Sequence, residues 1–227
     1  MTTPSIGGAL RQAGIDFYFN SVRFAGANLA WGLGLLLVLF GAIAWLPATA
    51  LGVALAAPVA GMHRMAALLV RGEPASFSDF VDGTRRFGVH ATGIAAAAVV
   101  VGAILVTNVS IGFASDGPLG WFLGASALYG IAALVMYLVA LWPVLVDPSH
   151  EDARLRRRLQ IAGLVVIARP GRLFVVTALI VAVLAVSTVL LAGIVLFGVA
   201  YSSLFASRWV LPTADAIEAR YEAARAR

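Results

Sequence analysis

Long uncharged apolar runs alternate along this chain with short segments that carry nearly all of its acids and bases. A bilayer hydrocarbon core of about 30 Å takes about 20 helical residues to cross. The runs at 24–46, 88–113 and 119–146 reach that length. The run at 48–70 also reaches it, with Pro58 predicting a kink and His63 and Arg64 lying in its last third. Residues 173–207 contain no charge at all. As one helix that stretch would be about 52 Å long at 1.5 Å per residue, so two spans, 173–191 and 193–211, with a tight turn near 191–193, fit better. The expectation is an all-α polytopic integral membrane protein: a single membrane domain over 1–227 with six transmembrane helices in three hairpins.

Arginine placement tests that count independently, because short cytoplasmic loops collect basic residues and outer loops do not. Arg11 and Arg23 precede the first span, while Arg64, Arg71, Arg85 and Arg86 gather at and after the end of the second. Arg154, Arg156, Arg157, Arg158, Arg169 and Arg172 follow the fourth, and Arg208, Arg220, Arg225 and Arg227 the sixth. With six spans every arginine lies inside, both termini are cytoplasmic, and the outer turns keep only Asp116. Five spans would put the last four arginines outside. Residues 212–227 are then expected as a cytoplasmic tail, with Trp45 and Trp121 at the outer interface and Trp142 and Trp209 at the inner one. Ala48-Thr49-Ala50 has the form of a signal-peptide cleavage site. The apolar run before it is longer than a signal core, however, and the polar stretch preceding that run is long and weakly positive, so a span is the better reading.

The inner loops share a plan. Ser76-Phe77-Ser78-Asp79 and Ser149-His150-Glu151-Asp152 both have the S-x-x-D form of a helix N-cap and predict short amphipathic cytoplasmic helices over about 76–87 and 149–168. In the first, Phe77, Phe80, Val81, Thr84 and Phe87 recur at helical spacing opposite Asp79, Asp82, Arg85 and Arg86. In the second, Leu155, Leu159, Ala162 and Val166 form an apolar stripe beside Arg154, Arg156, Arg157 and Arg158. A weaker third stretch carries Ile6, Leu10 and Phe17.

Composition sharpens this picture. With 61% hydrophobic and 12% charged residues, the chain exposes more apolar surface than water tolerates, and lipid must cover it. Its net charge of +5 would suggest nucleic acid in a soluble domain. Here the arginines flank apolar spans, where cytoplasmic anchoring and anionic headgroups account for them, and no nucleic-acid partner is expected. The absence of cysteine excludes disulfides, thiolate metal sites and cysteine nucleophiles. His63, His90 and His150 are too scattered for a metal site, and the acids pair in inner loops, Asp79 with Asp82 and Glu151 with Asp152. No P-loop, nucleophile elbow or H-E-x-x-H occurs. A non-enzymatic protein without metal or cofactor is the expectation.

Helix packing in lipid depends on small residues. Ala48, Gly52, Ala56 and Ala60 fall four apart in the second span, and Gly198, Ser202 and Ala206 repeat the spacing in the sixth. These positions suit packing within the monomer or a subunit interface, which leaves homo-oligomerisation open. Arg64, Phe77, Phe80 and Phe87 are candidates for contact with a partner or with headgroups, and Arg154, Arg156, Arg157 and Arg158 for anionic lipid. Asn28 and Asn108 suit bonds across helices. Any polar conduit would draw on Asn28, Thr107, Asn108 and Ser126.

Asn28-Leu29-Ala30-Trp31 in the first span, Leu46-Pro47-Ala48-Thr49 at its exit, and Arg71-Gly72-Glu73 followed by Phe77-Ser78-Asp79-Phe80 and Phe87 resemble the YesL family of bacterial membrane proteins. The resemblance covers about residues 24–90; beyond them only hydropathy is shared. The exit motif departs from the family's Thr-Ile-Gly-Pro, reading Thr49-Ala50-Leu51-Gly52 with proline delayed to Pro58. The family has no assigned catalytic residues, and its members are often encoded beside carbohydrate-uptake ABC transporters. The resemblance therefore implies an accessory or assembly subunit in a bacterial plasma membrane, with the bilayer and permease subunits of a carbohydrate ABC importer as partners. A small transporter or pore, and a membrane-bound regulator or scaffold, are the alternatives.

Overall fold

The computed structural model describes residues 4–190 and 193–225, without the side chains of Glu222 and Arg225. The elements in order are α1 (Ile6–Phe19), α2 (Ser21–Ala44), a 3-10 segment (Leu46–Leu55), α3 (Ala56–Val70), α4 (Phe77–Ala114), α5 (Pro118–Val146), a 3-10 turn (Pro148–His150), α6 (Leu155–Ala168), α7 (Pro170–Val189), a π-helical turn (Ile194–Gly198) and α8 (Val199–Arg225). No strand occurs among the described residues. Six helical segments are long and apolar enough to cross a membrane: α2, the 3-10 segment with α3, α4, α5, α7, and the π turn with most of α8. The chain is a multi-pass membrane protein. The turn expected near 191–193 falls on Leu191 and Ala192, outside the described residues, as does Arg227.

Four local expectations change. Ser76 does open a helix: its N–H donates to Asp79 Oδ2 at 2.7 Å in a capping box. But the helix does not stop at Phe87: no proline follows and it runs on through Gly88, so the segment expected as a separate surface helix is the first three turns of the 38-residue α4, about 57 Å long. Ser149 does not cap. Asp147 does, accepting the Ser149 N–H, with Pro148 at the first helical position, and α6 starts only at Leu155; a carboxylate ahead of a proline makes the better N-terminus. Residues 212–218 belong to the bundle rather than to a tail. Helix α8 runs through Pro212 to Arg225 and buries Leu211, Thr213, Ala214 and Ala216. Trp209, expected at the interface, is fully buried within the bundle.

The second span is built in two parts, its first ten residues wound as a 3-10 helix ahead of Pro58. Helices α3 and α8 form the centre, with Ala60, Met62, Met65, Ala66, Leu204 and Phe205 fully or nearly fully buried. Around them pack α1, α5 and α6. Helix α2 closes on the π turn at two positions one helical turn apart. Asn28 bonds its backbone, and a Cβ at Gly32 would lie only 2.8 Å from Val195 Cγ1, so only glycine allows this approach.

The far halves of α4 and α5 are built differently. From Thr92 to Val135 only Gly112, Gly124 and Ala127 are buried. These halves pack on one another, Leu105 against Gly130 and Gly102 beside Leu134, and turn most of their remaining surface outward.

Candidate functional site

At one end of the bundle the charges form a connected network. Arg71, at the C-terminus of α3, donates from Nε and Nη2 to Asp147 at 2.9 and 2.5 Å and from Nη1 and Nη2 to Asp215 at 2.7 and 3.0 Å. One planar guanidinium thereby ties α3 to the end of α5 and to α8, the fork geometry to which arginine is suited. His150 lies between two carboxylates, its Nδ1 2.9 Å from Asp147 and its Nε2 2.7 Å from Glu218, which also accepts from Arg157 at 2.9 Å. Both ring nitrogens can donate only in the imidazolium form, and the Asp147 hydrogen bond, ahead of opposing burial, raises the His150 pKa. For Asp147, whose side chain is fully buried, burial alone would raise the pKa. Hydrogen bonds from His150, Arg71 and Ser149 outweigh it and hold the carboxyl well below the usual carboxylate range.

Two arginines complete the end of α5. The last carbonyls of a helix have no intrahelical donors and carry the negative end of its dipole. Arg158 Nη1 donates to the Leu145 carbonyl at 2.5 Å and Nη2 to the Glu151 carbonyl at 2.8 Å, and Arg64 Nη1 reaches the Val146 carbonyl at 3.0 Å. The Glu151 carboxylate pairs with Arg64 and Arg86. The Arg158 guanidinium also stands 5.5 Å from the centre of the Phe87 ring. Elsewhere at this end Arg208 joins Asp16 of α1 at 2.5 Å, and Arg23 donates to the Ala75 carbonyl at 2.7 Å.

The residues expected to contact partners or lipid are divided by this arrangement. Phe80 and Phe87 are buried and Arg64 is engaged internally, while Phe77 remains 46% exposed. Arg157 and Arg158 are drawn into the network; Arg154 and Arg156 are exposed. In the second span, Ala48 lies against Gly41 and Gly52 beside Val38, with Ala56 and Ala60 buried. Ala48 and Gly52 thus both meet α2. Gly198 abuts Ser187 of α7. Thr107 and Ser126 are exposed, and Asn108 is half-buried.

A half-open cavity of about 540 Å³ lies deeper, between α2, α3, α5, α7 and α8. Its wall is overwhelmingly apolar, Ala206 included, but it also carries Trp31, His63, Thr188, Ser202 and Ser203. None of Asn28, Thr107, Asn108 or Ser126 lines it. Asn28 is instead committed to the π turn, donating to the Ile194 and Val195 carbonyls and accepting from the Ala200 N–H, each at 2.7 Å. Among the described residues no group of three or more His, Asp or Glu side chains gathers to hold a metal.

The network's central members, Arg71, Asp147, Asp215 and Glu218, and the separate Asp16–Arg208 pair are absent from the sequence-derived candidates. Two signals pointed to them: Asp147 is a single acid abutting an apolar run, and Asp16 is the only acid ahead of the first span. No family model matches the chain, and comparison with curated proteins and with solved structures gives no significant match.

Proposed function

We propose that this chain is a non-enzymatic accessory subunit of the bacterial plasma membrane, with its charged end and both termini in the cytoplasm, and that it docks on another membrane complex through the outer face of α4. The observation that carries this reading is a stripe of small residues on that face. Gly93, Ala96, Ala97, Val100, Ala103, Thr107 and Ser110 recur at helical spacing and all are exposed. Helices in lipid gain nothing hydrophobic by associating; they associate where small side chains let backbones approach. A face of this kind, left uncovered by the chain itself, suits a partner's helix. The resemblance to the YesL family supplies the partner class, permease subunits of a carbohydrate ABC importer.

A gentle-detergent pull-down of tagged protein from native membranes, read by mass spectrometry, tests this. Stoichiometric permease subunits that disappear when Gly93, Ala97 and Ala103 are changed to leucine are the expected result. Recovery of the chain alone, or only with itself, overturns it. Orientation is read separately. Because the chain has no cysteine, cysteines introduced singly at Arg154 and Ser115 report sidedness cleanly, and an impermeant maleimide is expected to label Ser115→Cys, but not Arg154→Cys, from outside the cell.

A further inference from the structure

The geometry points to the cavity between α2, α3, α5, α7 and α8 as a binding site for an uncharged lipid, a hydrocarbon chain carrying a hydroxyl or carbonyl, held by His63. Three observations on the cavity carry this, independently of the docking surface on α4.

The first is an orphaned polar residue. His63 is 5% exposed and lines the cavity, and neither ring nitrogen has a partner among the described residues; Nδ1 is closed off from solvent, which leaves Nε2 as the accessible ring nitrogen. Two further lining residues repeat the pattern, since Trp31 Nε1 and Ser202 Oγ are buried without partners. A buried polar group without a hydrogen bond is costly, more so where no water reaches it. Of the three, only His63 keeps an accessible nitrogen, Nε2, and that nitrogen lacks a partner from the chain.

The second is the character of the wall. Among the described residues no acid and no arginine lines the cavity. A phosphate, carboxylate or ammonium headgroup would sit there without a counter-charge, so the polar group must be neutral. A hydroxyl can donate to an imidazole nitrogen or accept from it, and a carbonyl can accept.

The third is access. The lining includes Leu39 and Val181, 49% and 51% exposed on apolar spans, so the mouth opens where acyl chains lie rather than into water. Along α2 it extends from Trp31 to Leu39, about 12 Å of helix. Its volume is within the range of small-molecule sites.

The test uses the full-length protein in phosphatidylcholine nanodiscs with two photoreactive probes, a diazirine-bearing dodecanol and the matching dodecane, the cross-links being mapped by mass spectrometry. Saturable dodecanol labelling on α2 and α7, competed by unlabelled dodecanol, is expected. His63→Leu should reduce the alcohol's advantage over the hydrocarbon by about fivefold, the scale of one hydrogen bond. Val181→Trp, at the exposed mouth where the fold should tolerate it, should suppress cavity labelling by both probes, while Val99→Trp on the outer face of α4 should not. Non-saturable labelling spread over α4 overturns the proposal, as does unchanged alcohol preference in His63→Leu.

Discussion

The charged end and the far arm of α4 and α5 use the same helices in opposite ways. At the charged end, α4 buries Phe80, Gly83, Phe87 and Ala91, and α5 buries nearly every residue from Ala140 to Val146. In the arm the same two helices bury almost nothing beyond small residues facing each other. One end is fixed by directional bonds and dense packing; the other presents apolar surface and leaves its neighbours to be chosen by lipid or by a partner. Hydropathy alone cannot make that distinction, since both halves are read as spans.

The sharpest way to break the contrast is at Asp147. Asp147→Ala leaves Arg71 with only the Asp215 carboxylate and His150 with only that of Glu218, and a loss of about 3 kcal/mol is expected from the charge-assisted hydrogen bonds removed, measured as a lower midpoint of thermal aggregation in detergent. Arg158→Leu comes next. It strips donors from the Leu145 and Glu151 carbonyls, and about 1–3 kcal/mol should go in the same assay.

A pH series tests the network more gently. His150 has its pKa raised in the folded state, so its contribution is complete below the ordinary histidine value of about 6.5 and is lost as pH rises through the higher folded value. Asp147 is held low, so its contribution is present above the ordinary carboxylate range and is lost only as pH falls through the depressed value. Thermal stability should decline on the alkaline side of about pH 6.5, and His150→Phe should flatten that slope. An unchanged slope would remove His150 from the network's energetics. The smallest effect is expected in the arm, where Gly93, Ala97 and Ala103 together changed to leucine should shift stability by less than about 1 kcal/mol; a large loss would mean that the arm is held as tightly as the charged end.

What could be read beforehand follows from range. The apolar runs, the spread of arginines and the Ser76 cap are local patterns, and they located the six long apolar helices and the start of α4. The continuation of α8 past Pro212 was hidden, because hydropathy falls there while burial does not: Thr213 and Ala214 are buried against other helices rather than in lipid. The Arg71–Asp215 and Arg208–Asp16 pairings join residues more than a hundred positions apart, and nothing at either position names its partner. For the cavity, His63 was visible as an ionisable residue in the last third of a span, but nothing in the sequence showed which helices would face it.

Asn28 has a consequence for how the molecule is made. The π turn ahead of α8 leaves the Ile194 and Val195 carbonyls and the Ala200 N–H to be satisfied by one amide from α2. Asn28 is synthesised 166 residues before Ile194, so the amide waits while the intervening helices are made for the backbone it completes. Until then the last span carries unmet polar groups that hydrocarbon cannot serve. Helix α2 thus supplies the bonds that complete the π turn, and loss of the Asn28 amide would leave those backbone groups unmet in hydrocarbon.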